Sequence, residues 1–202
     1  MLNPLELIQL QITLEYALDE LGLLVPFPGS SEQGLYIVYH HSGGYVPYFN
    51  QQLPARLRTR LREAGGETAF SAPDQIEAIL REFADCHFEG KFVSEYILTP
   101  PDRGDFVQAV LQDGQWVILV EDSPACWAWS ERSNEKCAEV AVETLPEQRR
   151  KGYARQVVAA WADEVIRSGR TAFYSYKADN LLSRALARSL GAVWYADVVG
   201  FG

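Results

Sequence analysis

The sequence is poor in the residues that mark disulfide-rich, metal-binding and phosphate-loop proteins. It has three cysteines, Cys86, Cys126 and Cys137, without a C-x-x-C pair, so buried, reduced thiols are expected instead of a disulfide framework. Its three histidines have no carboxylate at ligand spacing, and we expect no metal site. The patterns G-x-x-x-x-G-K-[ST] and G-x-G-x-x-G are both missing, which argues against a P-loop nucleotidase and a Rossmann dehydrogenase.

Positive charge and long apolar runs are scarce as well. The formal net charge of −9 disfavours general binding to nucleic acid or to an anionic membrane, because both need a basic surface. No stretch approaches the length of a membrane-spanning helix, and the N-terminus lacks a signal-peptide pattern. The sequence therefore predicts a cytoplasmic protein with no nucleic-acid partner and no membrane partner.

The sequence does contain enough apolar residues to form a packed hydrophobic core. Apolar residues make up 48% of the chain and aromatic residues 12%, which is typical of a packed globular protein and not of a disordered one. The length of 202 residues suits one large domain, or a core with an appended part.

The segment 138–165 changes its periodicity at a short basic loop. Residues 138–144 alternate between apolar and polar with period two, which predicts a strand with one buried face. Pro146 ends this strand, and three consecutive cations at 149–151 precede Gly152, after which apolar residues recur at helical spacing. A glycine lets the backbone turn sharply at the helix start, where unpaired N–H groups and the helix dipole favour an anion. The loop is therefore a candidate phosphate site.

Two short patterns in the C-terminal half resemble signatures of one family. Residues 149–154 read R-x-x-G-x-A directly after a strand, which resembles the pyrophosphate-binding motif [RQ]-x-x-G-x-[GA] of the GNAT (GCN5-related N-acetyltransferase) superfamily, whose members use acetyl-coenzyme A. Asn180 and Ser183, followed by Ser-Leu-Gly-Ala at 189–192, resemble the second signature of these proteins, N-x-x-[AS] and then L-G-F. Both patterns occur in the order that the family has.

The resemblance implies a fold and a coenzyme site. The fold would be α/β (α+β), with a GNAT-like mixed, mostly antiparallel central sheet flanked by helices and an N-terminal helix and hairpin extension. Backbone N–H groups of the loop would hold the pyrophosphate, the pantetheine would lie along 142–145, and Asn180 would fix the arm near the thiol. The implied site for acetyl-coenzyme A as cosubstrate comprises Val142, Thr144, Leu145, Arg149, Arg150, Lys151, Gly152, Tyr153, Ala154, Asn180 and Ser183.

Acetyl transfer to an amine also needs a group that removes a proton, because a protonated amine cannot attack a thioester. Glu139 and Glu143 lie four residues apart on the predicted strand and therefore point to the same face; Glu131, near the end of the preceding strand, is a third candidate. In the family a glutamate on this strand often acts as base, although the two residues also fit the wet face of a half-buried strand. Ala187 stands where many relatives have a tyrosine that protonates the departing thiolate, so Ser183, Tyr176 or water would have to replace it.

The chain is expected to divide near residue 100, because Thr-Pro-Pro-Asp-Arg-Gly at 99–104 is a strong break. Residues 1–100 would form a helical and hairpin region that supplies the acceptor side, and residues 101–202 the domain that binds acetyl-coenzyme A. In the first region the patterns predict an amphipathic helix at 3–22, a connector at 26–31, a hairpin of 35–39 with 45–49, and helices at 54–64 and 72–83. The hairpin aromatics fit sheet packing better than an acceptor pocket.

The second region reads as a meander followed by alternating helices and strands. Strands are predicted at 106–111, 116–120, 126–130, 171–176 and 192–195, and a helix begins at 180 with Leu182, Ala185, Leu186 and Leu190 on its buried side.

The preferred interpretation is an N-acetyltransferase that moves an acetyl group from acetyl-coenzyme A to a small-molecule or peptide amine by direct attack on the thioester. A non-catalytic module that binds acyl-coenzyme A or a protein is the alternative, because the helix tyrosine is missing. A nucleic-acid binder that uses the arginines at 56–62 is disfavoured by the acidic total charge. The sequence names no acceptor and leaves open whether the protein forms a homodimer.

Overall fold

The structure, a computed structural model, describes residues 2–30, 34–99, 102 and 108–202. Its contacts divide the chain into a first unit, Met1–Ser94 with Tyr195–Gly202, and a second unit, Glu95–Trp194. The predicted boundary between residues 100 and 101 lies outside the described residues.

The first unit combines helices with a small antiparallel sheet. Strand β3 pairs with β4 on one side and with β11 on the other, both antiparallel, in the order β4-β3-β11-β5. The C-terminal strand thus completes this sheet. The elements of the first unit are α1 (Pro4–Ile12), β1 (Tyr16–Leu18), β2 (Leu24–Pro26), β3 (Tyr36–His41), β4 (Gly44–Phe49), α2 (Ala55–Ala64), α3 (Gly66–Ser71), α4 (Pro73–Leu80), most of β5 (Phe88–Ile97) and most of β11 (Val193–Phe201).

The predicted helix at 3–22 is wrong in its second half. Helix α1 begins with a capping box between Asn3 and Glu6 and ends at Ile12, after which β1 and β2 form an antiparallel hairpin. The Asp19 carboxylate accepts hydrogen bonds from two backbone N–H groups of the turn, both at 2.8 Å, and Gly22 has φ 73°. Local turn chemistry therefore overrides the helical spacing of the leucines.

The other elements predicted for the first region are confirmed within a few residues. The hairpin is β3 with β4, and the two later helices are α2 and α4. Phe83, predicted on the buried stripe of the second helix, lies beyond the end of α4 and is 38% exposed. Helix α3 and strand β5 were not predicted.

The second unit is a meander followed by two helices that alternate with strands. Its strands have the order β10-β9-β8-β7-β6, and β10 has β5 as its other neighbour. Each of the strands β6 to β9 pairs antiparallel with the next one along the chain. Residues 106 and 107 of the first predicted strand lie outside the described residues. The elements are β6 (Val110–Gln112), β7 (Gln115–Val120), β8 (Ser123–Ser133), β9 (Cys137–Thr144), a 3-10 turn (Pro146–Gln148), α5 (Tyr153–Arg167), β10 (Thr171–Lys177) and α6 (Leu181–Ser189).

Helix α5 anchors the second unit. It packs on β7, β8 and β9 with mostly apolar buried side chains, and the indole of Trp161 donates a hydrogen bond of 2.9 Å to the hydroxyl of Ser130 on β8. Val157 and Val158 are completely buried, as the helical spacing predicts. The result is the predicted α/β architecture, a mixed and mostly antiparallel sheet flanked by helices.

The buried side of α6 differs from the prediction. Leu182 is 71% exposed and Ala185 is exposed, whereas Ala187 is completely buried. The first turn of α6 therefore presents leucines to the outside, and a small side chain faces the interior.

Candidate functional site

Strands β9 and β10 pair along only part of their length. They run parallel, with Thr171 opposite Cys137, Ala172 opposite Ala138 and Phe173 opposite Glu139. Beyond this point β9 continues to Thr144 and β10 to Lys177, and no further pair joins them among the described residues. The two strands therefore cease to pair beyond Glu139 and Phe173, and the region between their remaining residues is here called the strand gap.

The loop after β9 brings left-handed backbone to the open end of the strand gap. A 3-10 turn at Pro146–Gln148 leads into Arg150, with φ 64°, and Gly152, with φ 78°. Helix α5 starts at Tyr153 with no side chain capping its N–H groups. Uncapped N–H groups and the positive end of a 15-residue helix make this position suited to an anion.

The three cations of the loop are exposed, and two of them make hydrogen bonds to neighbouring residues. The Arg149 guanidinium donates a hydrogen bond of 3.4 Å to the carbonyl of Thr144, the last residue of β9. The Lys151 ammonium donates one of 2.7 Å to the side chain of Gln148. The structure thus brings the cations, the glycine and the end of β9 together, as the motif predicts.

The residues predicted along the pantetheine are half-buried at the end of β9. Val142 and Thr144 lie opposite Ala128 and Cys126 of β8, and the Thr144 hydroxyl is 3.0 Å from the Cys126 thiol. The Leu145 N–H donates to the carbonyl of Ala125 at 3.0 Å. One edge of β9 is thereby fixed by β8, which leaves its other edge to face the strand gap.

Asn180 and Ser183 form the N-terminal cap of α6. The Asn180 side-chain oxygen accepts a hydrogen bond of 3.1 Å from the Ser183 N–H, as an N-cap asparagine does. Helix α6 follows directly after β10, and the Arg155 guanidinium of α5 donates to the carbonyl of Ser189 at 3.1 Å. The two signature segments therefore belong to neighbouring helices at the strand gap.

The candidate glutamates lie in different environments. Glu139 is 6% exposed at the closed end of the strand gap, and its carboxylate lies 3.2 Å from the Arg132 guanidinium. Glu143 is exposed, nearer the open end. Glu131 occupies an irregularity of β8 and accepts a hydrogen bond of 2.9 Å from the Trp129 indole.

A buried carboxyl that the sequence analysis missed lies on β5, next to β10 in the sheet. Glu95 is 9% exposed and accepts a hydrogen bond of 3.1 Å from the Tyr176 hydroxyl. Burial raises the pKa of Glu95, and burial together with the neighbouring carboxyl raises the pKa of Tyr176. No motif marks Glu95, and only the prediction of β5 as a strand would have drawn attention to it.

The part of the chain that the structure describes contains no cluster of metal-ligating side chains. Within the same residues, no helix is long and apolar enough to cross a bilayer. All three cysteines are buried, and none of them forms a disulfide bond.

Comparison with known proteins supports the resemblance in the second unit. Residues 118–196 match the family model described as FR47-like protein. A protein assigned to the GNAT family of acetyltransferases from Novosphingobium aromaticivorans superposes with a TM-score of 0.50 at 16% identity, over 57% of this chain and 66% of that one. A GCN5-related N-acetyltransferase-like protein from Streptococcus suis gives a TM-score of 0.50 at 16% identity, over 86% and 85% of the two chains.

The comparison with curated proteins finds no match. At 16% identity, the solved structures establish the fold, while the family model adds the sequence pattern of β7 to β11. The sequence motif, the fold and the family model over residues 118–196 agree, which supports the predicted resemblance to the GNAT superfamily.

Proposed function

We propose that the protein is an N-acetyltransferase that transfers an acetyl group from acetyl-coenzyme A to an amine. The observation that carries the proposal is the strand gap between β9 and β10, which opens beside the glycine loop and the uncapped start of α5. A long, flexible substrate with a phosphorylated end fits such an arrangement, because its phosphates can bind at the helix and its arm can extend between the strands.

The proposed coenzyme contacts follow the loop and the strand. The pyrophosphate would accept hydrogen bonds from backbone N–H groups of Gly152, Tyr153 and Ala154, and the exposed side chains of Arg150 and Lys151 would add positive charge. The pantetheine would pair with the free edge of β9 from Val142 to Leu145, and Asn180 with Ser183 would border its thiol end.

The proposed reaction is direct attack by the acceptor nitrogen on the thioester carbonyl. The new C–N bond forms as the C–S bond breaks, the amine loses one proton, and the sulfur leaves as a thiolate that takes one up. Glu139 and Glu143 stay the proposed bases. Holding the amine and the thioester together in the strand gap would supply much of the rate enhancement. This positioning can lower the activation free energy by ~7 kcal/mol or more.

A test of turnover separates this proposal from a non-catalytic binder. The purified protein, acetyl-coenzyme A and a panel of small amines and peptides are combined, and released coenzyme A thiol and acetylated product are both quantified. Product formation supports the enzyme. Coenzyme binding without product from any amine in the panel favours the non-catalytic module.

Two variants test which glutamate acts as the base. Glu139→Gln and Glu143→Gln, singly and combined, are expected to lower kcat while leaving the dissociation constant of acetyl-coenzyme A within about twofold. If both single variants and the double variant keep full turnover, neither glutamate is the base.

A further inference from the structure

The second unit contains a carboxyl group whose surroundings are unusual for a structural residue. The Oε2 atom of Glu95 is buried and has no hydrogen-bond partner among the described residues, while Oε1 accepts a hydrogen bond from Tyr176. A buried carboxylate oxygen without a partner is costly. Burial accordingly raises the pKa of this carboxyl, which means that Glu95 retains a proton to higher pH than an exposed glutamate.

Tyr176 connects this carboxyl to the helices. It is buried on β10, its ring lies 5.9 Å from that of Tyr174, and its hydroxyl also interacts with Arg184 of α6. Tyr174 lies on the same face of β10, where its hydroxyl interacts with Ser183. Of these two tyrosines, Tyr176 is the one that makes the hydrogen bond to Glu95.

The charged groups that face Glu95 come from two elements. Helix α6 contributes Arg184 and Arg188, whose positive charges oppose the effect of burial, and β10 contributes the Tyr176 hydroxyl and, further away, Tyr174. Arg184 is held in place by a hydrogen bond of 3.3 Å to the carbonyl of Ala178.

The position of this group relative to the strand gap gives it a candidate role. Tyr176 lies three residues beyond Phe173, the last residue of β10 that pairs with β9, and therefore in the part of β10 that borders the strand gap. Arg184 and Ala187 are one turn apart on α6 and share a face. Where the family resemblance places a tyrosine on that face, this chain has a buried alanine, and the nearby phenol comes from the strand instead.

We infer that Tyr176 and Glu95 form the proton relay of the site, in which the Tyr176 hydroxyl protonates the departing thiolate of coenzyme A and Glu95 supplies the proton that replaces it. This inference rests on the proposed function. The Tyr176 hydroxyl, which donates to Oε1 of Glu95 in the structure, turns to the sulfur; the S–H bond forms as the phenolic O–H bond breaks, and the phenolic oxygen then accepts the proton held by the Glu95 carboxyl. The base that receives the proton of the acceptor nitrogen, Glu139 or Glu143 in the proposed function, passes a proton to water, and the Glu95 carboxylate left behind takes one from water. One proton has then moved from amine to sulfur, and no other reactant is consumed.

Coenzyme A itself is the probe for the experiment, because its thiol is the group that the relay serves and no acceptor is needed. The protein is kept in excess over coenzyme A, and the rate at which iodoacetamide alkylates the coenzyme is measured from pH 5 to 10 by chromatography of the product. A hydrogen bond from Tyr176 stabilises the thiolate, so the apparent pKa of the bound thiol should lie about one unit or more below that of free coenzyme A. Tyr176→Phe should return it to the free value.

Glu95→Gln tests the second member of the relay. The wild-type curve should contain two coupled ionisations, one from the thiol and one from Glu95, whereas the Glu95→Gln curve should contain one. Tyr174→Phe is the matched control, since it removes a hydroxyl from the same strand face without touching the hydrogen bond between Tyr176 and Glu95. It should leave the thiol pKa as in the wild type.

The failure of the relay and the failure of the proposed function give different results. If coenzyme A binds to the wild-type protein and its thiol ionises as in free solution, the relay is refuted whatever the variants do. A thiol pKa that is lowered equally in wild type and Tyr176→Phe also refutes it. If coenzyme A does not bind at all, as judged by calorimetry, the proposed function falls and the relay falls with it.

Discussion

Glu95 gives a prediction about stability that is independent of any reaction. Its pKa is raised by burial, so the folded protein holds this proton more tightly than the unfolded chain does. As the pH rises above the ordinary glutamate pKa of about 4.3, the unfolded chain loses the proton first, and the stabilisation that Glu95 gives at low pH is lost.

The glutamine variant lacks this ionisation. The free energy of unfolding of Glu95→Gln, relative to the wild type, should therefore increase between pH 4 and pH 7, which urea titrations at several pH values would measure. A difference that does not change with pH would show that Glu95 is ionised in the folded state to the same extent as in the unfolded chain.

The ion pair between half-buried Arg132 and buried Glu139 gives a second stability prediction. Arg132→Met removes the guanidinium 3.2 Å from a carboxylate that is nearly inaccessible to water, and we expect a loss of about 1–3 kcal/mol in the free energy of unfolding. Adding Glu139→Gln should restore part of the loss, because the buried negative charge that has lost the guanidinium is then removed as well. If the double variant is no more stable than Arg132→Met, the pair does not act as a unit.

Among the structural elements, the ends of α5 allow a matched comparison. Gly152 and Gly169 flank this helix, both have left-handed backbone, with φ 78° and 82°, and neither has an atom within 4 Å of an added Cβ. An alanine at either position should cost a similar ~1 kcal/mol from backbone strain.

Only Gly152 belongs to the proposed coenzyme loop. Gly152→Ala should weaken acetyl-coenzyme A binding by about tenfold or more, because it disturbs the backbone that would hold the pyrophosphate. Gly169→Ala should leave the affinity unchanged. Calorimetric titration of both variants distinguishes the outcomes, and equal affinities would remove the loop from the coenzyme site.

The helix caps offer a second matched pair. Asn3 caps α1 and Asn180 caps α6 through the same kind of hydrogen bond, at 3.0 Å and 3.1 Å. Alanine at either position should cost ~1 kcal/mol of stability, measured by urea unfolding. Only Asn180→Ala should also raise the dissociation constant of acetyl-coenzyme A, and a similar effect of Asn3→Ala would mean that general destabilisation is the cause.

Elements with strong local signals could be predicted from the sequence. The change from period two to helical spacing at Gly152 predicted β9, the loop and α5. The motif at 149–154 indicated a resemblance to the GNAT superfamily, because its spacing is set by the geometry of a phosphate loop. The prediction of one helix over 3–22 failed because the spacing of the leucines fits either a long helix or a short helix followed by a hairpin. The hairpin is favoured by Asp19 and Gly22 in the turn and by the burial of Tyr16. Such competition between local signals is decided by tertiary packing.

Glu95 could not have been found in this way. Its importance depends on the neighbouring β10, which lies about 80 residues further along the chain, and on burial that no periodicity expresses. The same holds for Ala187, since the helical pattern favoured Leu182 as the buried residue, and only the packed structure shows that the small side chain faces inward.

The molecule as a whole carries net negative charge, whereas α2 carries several arginines, and nucleic-acid binding tests which of the two dominates. Arg60 pairs with Glu82 at 2.5 Å, and the Arg62 guanidinium lies 4.6 Å from the centre of the Phe49 ring. These cations are therefore engaged within the first unit. We expect no salt-dependent binding of single- or double-stranded nucleic acid in fluorescence anisotropy at low ionic strength, and a steep salt dependence would revive that interpretation.

The strand gap and the adjoining loop are the proposed binding site of acetyl-coenzyme A. Thermal unfolding with and without acetyl-coenzyme A tests this site, with adenosine diphosphate and a variant carrying Arg149→Glu and Gly152→Asp as controls. At one hundred times its dissociation constant a ligand stabilises by ~2.7 kcal/mol, which corresponds to about 5–10 °C for a chain of this size. We predict such a shift for the wild type with acetyl-coenzyme A, a smaller one with adenosine diphosphate and none for the variant. Equal melting temperatures of the wild type with and without millimolar acetyl-coenzyme A would mean that the strand gap and the loop do not bind this coenzyme.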